Sequence, residues 1–152
     1  MRIERVAVNY SPLITLFRSG LHPLLPQLFP DLVVPEAVWT EVVSSTYDDP
    51  ATRGLPESAW ARREQTPISA DIVAWNLGAG ETAVLSFVQY NSGYTAIVND
   101  RAARRCARVL RIPILGTAGV VVLAKRRGLI NSVEDGLRRL QSAATHLSRD
   151  KF

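Results

Sequence analysis

At 152 residues, with 47% hydrophobic and 21% charged positions, the chain has the size and make-up of one packed domain (1–152), not a disordered tail or a repeat array. The single cysteine, Cys106, excludes an internal disulfide and a cysteine-rich zinc site, and no apolar run, 118–124 included, reaches membrane-spanning length. The formal charge of +4 is unevenly divided: residues 1–100 carry 6 Lys+Arg against 11 Asp+Glu, and residues 101–152 carry 12 against 3, an acidic part suited to cations and a basic part suited to a polyanion.

Val6-Ala7-Val8 reads as the end of a strand buried on both faces. Ser11-Pro12 then looks like an N-cap followed by proline in the first turn of a helix that Gly20 closes. A short helix is expected over 22–29, a strand at Leu32-Val33-Val34, and a helix from Pro35 to about Ser45. Residues 46–67, rich in Asp, Pro and Gly, form the expected surface excursion, with a short helix near 58–64. A helix follows Gly78-Ala79-Gly80, running from Glu81 to about Asn91. Next come a strand at 95–98, a helix at 101–110 and a strand at 112–115. Gly116-Thr117 opens another helix, ended by Gly128, and Ser132 caps a last one, with 146–152 expected as a loose tail. Alternating strands and helices predict an α/β fold around a mainly parallel sheet, with working groups beyond the carboxyl ends of its strands.

Two polar residues fall at such ends: Asn9 directly after the first strand and Asp100 just beyond the third. Glu81 shares the core-facing stripe of Val84, Leu85 and Val88, and Glu41 lies one turn on from Ala37 and Val38. Each also has a plain structural use: a turn for Asn9, an N-cap for Asp100, a first-turn charge for Glu81, an exposed mid-helix charge for Glu41. Together they predict an oxygen-rich site for Mg²⁺ or Mn²⁺, because crowded carboxylates repel unless a cation neutralises them.

Stepping 100° per residue, Arg101, Arg104, Arg105, Arg108 and Arg111 occupy roughly a 120° arc, with Ala103, Cys106, Val109 and Leu110 opposite. A stripe beginning at Asp100 can follow a phosphate backbone, so Arg101, Arg104 and Arg105 are candidate phosphate ligands. Arg108 and Arg111 fit a solvated face equally well, and Cys106 fits the core. His22 and His146 have no ligand-spaced partner for zinc. Ser11 stands outside any G-x-S-x-G setting, and Gly78-Ala79-Gly80 lacks the rest of a phosphate loop.

Five blocks in order, "VNYSPLITL" (8–16), "LVVPEAVWTEV" (32–42), "LGAGETAVL" (77–85), "IVNDRAARRCA" (97–107) and "GTAGVVVLAKRRGLI" (116–130), resemble a PIN domain. The resemblance leaves out only 46–76 and the carboxyl tail, and points to the "SPLI"-type, toxin-like (VapC-like) branch. It implies a three-layer α/β/α sandwich on a four- to five-stranded sheet and a Mg²⁺- or Mn²⁺-dependent ribonuclease, often the toxin of a toxin–antitoxin pair. By motif, Asn9, Glu41, Glu81 and Asp100 take the positions of the family's four acids, with Ser11 and Thr117 in support. RNA, an antitoxin protein and a second copy of the chain are the partners it implies; the lone cysteine, the short apolar runs and the charges at Arg2, Glu4 and Arg5 point separately to the cytoplasm, away from membranes. Asn9 departs from the pattern: an amide offers a carbonyl oxygen but no charge. That leaves a catalytically weak or inactive RNA- or protein-binding module as the alternative, and a nucleotide-binding α/β domain of another family as a third.

Overall fold

Val6, Ala7 and Val8 expose no surface at all, and they are the heart of β1 (Arg5–Val8), the central strand. A strand apolar on both faces has to be covered on both, and the surrounding helices supply that cover. In this computed structural model residues 2–45 and 49–151 are described, 144–151 by backbone alone.

The chain leaves β1 into α1 (Tyr10–Arg18) and α2 (Leu24–Leu28), then forms β2 (Asp31–Pro35) and α3 (Glu36–Val43). α4 (Pro50–Gly54) and a single 3₁₀ turn lead to β3 (Ala61–Glu64). α5 (Ala70–Val73) and α6 (Ala79–Tyr90) return the chain to β4 (Thr95–Ile97). α7 (Arg101–Val109), β5 (Ile114–Leu115), α8 (Thr117–Arg126) and α9 (Val133–Lys151) complete it. All pairings are parallel and the order is β3-β2-β1-β4-β5. The fold is thus a three-layer α/β/α sandwich on five strands, the layers and strand number that the resemblance implies; the alternation of elements predicts four of the strands in a parallel sheet. Among the described residues no helix is long and apolar enough to cross a membrane.

The strand order fixes where a site can form. From β1 the chain moves outward through β2 and β3, then crosses back to the other side of β1 for β4 and β5. Direction therefore reverses between β1 and β4, and the helices diverge there to leave a crevice at the carboxyl ends. Asn9 ends one of those two strands, and its amide nitrogen donates to the Ile97 carbonyl of the other at 3.1 Å.

Several expectations need correction. The helix foreseen near 58–64 is β3, an edge strand whose sequence Ala-Arg-Arg-Glu shows no apolar alternation. Tertiary bonds hold it instead: Arg62 reaches Asp31 at 3.0 Å and the Tyr94 hydroxyl at 2.9 Å, and Arg63 grips Glu36. Charge on an edge strand also blocks pairing with other chains. Asn9, not Ser11, occupies the N-cap position of α1, so Ser11 lies inside the helix. Val109 is 63% exposed, because it stands at the margin of the apolar arc where α7 ends and Arg111 turns the chain at φ 59. α9 continues to Lys151 across the expected tail, with neither glycine nor proline after Gly136 to stop it. The side chain of His146 and residues 46–48 of the excursion lie outside the described residues.

Other boundaries follow local chemistry as anticipated. Gly20 has φ +72 just beyond α1, and Gly128 has φ +74 after α8, a conformation other residues adopt only at a cost. The Ser132 hydroxyl accepts from the Asp135 amide at 3.0 Å, capping α9. Cys106 is fully buried in the core, which pushes its thiol up from the usual value.

Candidate functional site

Asn9 is 3% exposed and its side chain caps nothing; its Oδ1 is buried without a hydrogen-bond partner. An orphaned carbonyl oxygen is costly in an interior unless something meets it. It looks toward Gly80, in the first turn of α6. A Cβ added there would stand 2.9 Å from Asn9 Oδ1 and 3.2 Å from Glu41 Oε1. The end of β1 and the last turn of α3 therefore present two oxygens to one small space, kept open because residue 80 has no side chain. The run Gly78-Ala79-Gly80 makes this gap and not a phosphate loop.

Glu81, next in the chain, bends back over the start of its own helix, with Oε2 2.6 Å from where a Gly78 Cβ would be. There the helix dipole and free amides favour its charge. Asp100 caps α7, accepting from the Ala103 amide at 2.9 Å, and is otherwise exposed. The structure thus brings Asn9 and Glu41 together, folds Glu81 back over Gly78, and leaves Asp100 after β4 on its own helix. Among the described residues no three His, Cys, Asp or Glu side chains form one metal-holding group.

The donors at the gap nonetheless suit a hard divalent ion. An unpartnered buried carbonyl oxygen and a carboxylate face a space that a methyl group would fill, and both are oxygen ligands of the kind Mg²⁺ and Mn²⁺ prefer. Asn9 and Glu41 would hold such an ion, and Glu81 and Asp100 are further acids at the starts of α6 and α7.

Tyr10, which the sequence did not single out, follows Asn9 in the chain and feels the charge of Glu41. Burial raises its phenol above the ordinary value, and the charges of Asp49 and Glu41 add to that, while a bond with Ser45 opposes it. Behind it Arg18 donates to Asp49 Oδ2 at 2.9 and 3.2 Å, both side chains being almost wholly buried. This pair fastens the start of α4 to α1, and so supports the face from which Tyr10 and Asn9 project.

Across the carboxyl end of β4 lies an open groove of about 500 Å³, lined by Asn99, Arg101, Arg104, Arg105 and Arg108. None of these four guanidiniums has a carboxylate partner among the described residues. Arg104 is the most fixed: its Nε is buried without a partner, and Nη1 comes 3.3 Å from where a Cβ on Gly116 would stand. Arg108 joins the groove; Arg111, beyond the end of the helix, does not line it.

Asn99 is the second residue missed from sequence. Its Oδ1 accepts from the Thr117 amide at 2.9 Å and its Nδ2 donates to Thr117 Oγ1 at 2.6 Å. This pair of hydrogen bonds pins the start of α8 to the segment after β4 and holds Asn99 at the edge of the groove. Thr117, expected in a supporting place, is thus bonded to Asn99, and Ser11 lies in the first turn of α1. The signal for Asn99 was its place directly beside Asp100 at a strand end.

Two comparisons bear on the arrangement. A protein-family model described as PIN domain matches residues 5–152. No curated protein matches the chain.

Proposed function

The chain belongs to the PIN-domain family, whose members are generally nucleases and typically use divalent metal ions, and on that premise we propose that it is a Mg²⁺- or Mn²⁺-dependent endoribonuclease. The observation that carries this is the orphaned Asn9 Oδ1, buried beside Glu41 Oε1 at the β1/β4 reversal and held open by Gly80. When bound, a divalent ion would acidify a water and stabilise the leaving oxygen of a phosphodiester. Asn9 and Glu41 would position it, with Glu81 and Asp100 assisting. Arg101, Arg104, Arg105 and Arg108 would hold phosphates of the substrate along α7, through a groove that has no aromatic group among the described residues lining it.

The resemblance of the "SPLI" blocks supports a place in the toxin-like branch, and with it an antitoxin partner, a homodimer and a cytoplasmic setting. A second reading rests on the neutrality of Asn9. Two unit charges about 4 Å apart interact by about 4 kcal/mol at an effective dielectric of about 20. Losing one carboxylate there weakens an ion site far more than it weakens the fold, so the same arrangement suits a domain that binds RNA without cutting it.

Incubating labelled RNA of mixed sequence with the purified protein in Mn²⁺, Mg²⁺ or EDTA separates the two. The nuclease reading expects cutting that EDTA and Asp100→Asn each remove. Cutting that appears only in Asn9→Asp would replace it with the binding reading.

A further inference from the structure

Building on the metal-dependent nuclease reading, we infer that the divalent ion and the polynucleotide bind cooperatively, a substrate phosphate completing an ion site that this chain leaves one anion short. Three observations converge. The most buried donor at the gap, Asn9 Oδ1, is neutral and lacks any protein partner, although it faces the carboxylate oxygen of Glu41 across Gly80. The two remaining acids are already engaged at helix starts: Glu81 folds over Gly78, and Asp100 accepts from the Ala103 amide. The four guanidiniums of the groove begin one residue after Asp100 and have no carboxylate partners among the described residues.

Consider an ion approaching the protein alone. It meets one carbonyl and one carboxylate at the gap, within the field of the arginine groove, which repels a cation. A nucleic-acid strand approaching alone is drawn to the arginines but meets Asp100, next in the chain to Arg101, and the carboxylates of Glu41 and Glu81 near the start of α6, which repel a phosphate. Each ligand thus removes the other's obstacle. The strand neutralises the guanidiniums and brings phosphate oxygens, which are hard anionic donors, and the ion neutralises the carboxylates. Linkage requires the enhancement to be the same factor in both directions.

The test uses the full chain, with Mn²⁺ followed by electron paramagnetic resonance and a nuclease-resistant 2′-O-methyl RNA oligomer checked for integrity afterwards. Mn²⁺ is titrated with and without saturating oligomer, and the oligomer is titrated with and without saturating Mn²⁺. Each ligand is expected to tighten the other by on the order of tenfold or more, by one common factor. Asn9→Asp, which supplies the missing charge, is expected to strengthen Mn²⁺ binding without the oligomer and to shrink that factor. Equal Mn²⁺ affinity with and without oligomer in the wild type overturns the inference and leaves the nuclease reading standing. An oligomer that binds while no Mn²⁺ is taken up in either titration overturns both. The wild-type titrations decide the matter by themselves if Asn9→Asp does not fold.

Discussion

Gly80 is the residue at which stability and chemistry separate most cleanly. Alanine in a helix is favoured over glycine by up to about 1 kcal/mol, yet a Cβ here would stand 2.9 Å from Asn9 Oδ1 and 3.2 Å from Glu41 Oε1. Gly80→Ala is therefore expected to change Tm little, the helix-propensity gain offset by the forced shift of buried Asn9, while cutting the cleavage rate by roughly tenfold to a hundredfold, since small displacements of reacting groups are costly. Thermal melts and single-turnover rates on the same preparation check both halves. Asp49 behaves in the opposite way. With Arg18 as its buried partner, Asp49→Asn removes one charge of a buried pair and should lower unfolding free energy by about 3–5 kcal/mol in a urea titration. A loss below about 1 kcal/mol would show the pair to be dispensable. His22 adds a pH dependence. Burial lowers its proton affinity, a bond to the Leu16 carbonyl partly opposing this, and its ring stacks on Phe17 with centroids 4.2 Å apart. The unfolded chain then binds the proton more readily than the folded one, so this contribution is whole above about pH 6.5 and is lost as pH falls below it. Melts recorded from neutral to mildly acidic pH should show that decline, and His22→Phe should flatten it.

Among the elements, α7 shows how far a periodicity argument reaches. Its arginine arc was legible from sequence because four guanidiniums at 101, 104, 105 and 108 can share one face only on a helix, and the groove lies on that face. Val109 was misplaced for the same reason: an arc assigned from ideal steps says little about a margin position in the last turn. β3 was illegible, since its place depends on Asp31, Tyr94 and Glu36, residues distant in sequence, and not on its own pattern. Other basic residues in the carboxyl third do structural duty and should not be counted toward a polyanion. Arg127 donates to the carbonyls of Leu28 and Ile3 at 2.7 and 2.8 Å, and Arg139 donates to that of Ser19 at 2.6 Å. The distinction carries a prediction. Removing one groove charge, as in Arg104→Gln, should weaken binding of single-stranded RNA and reduce the slope of log affinity against log salt by about 0.7. An unchanged slope would place the phosphates elsewhere.

For the molecule as a whole, strand order does what composition could only suggest. The acidic and basic parts of the sequence meet where β1 and β4 end, with Asn9 and Glu41 on one side of the reversal and the arginine groove on the other. The positions of Asn9 and Asp100 were readable because each lies just beyond an apolar strand; for Glu41 and Glu81 the helix periodicity gave less, since α6 is buried on nearly every side and Glu41 is exposed. The gap at Gly80 and the clasp between Asn99 and Thr117 were not readable, because both arise only when separate elements pack. The family match covers residues 5–152, so one domain carries the strand ends, the groove and the helix that walls it. The most direct test of this account is the single-turnover cleavage of a labelled RNA by wild type and Glu41→Gln, in Mn²⁺ and in EDTA. The account predicts cutting by the wild type in Mn²⁺ alone, and at least a hundredfold loss in Glu41→Gln with its fold intact by circular dichroism. Equal rates for the two proteins, or cutting that persists in EDTA, would contradict it.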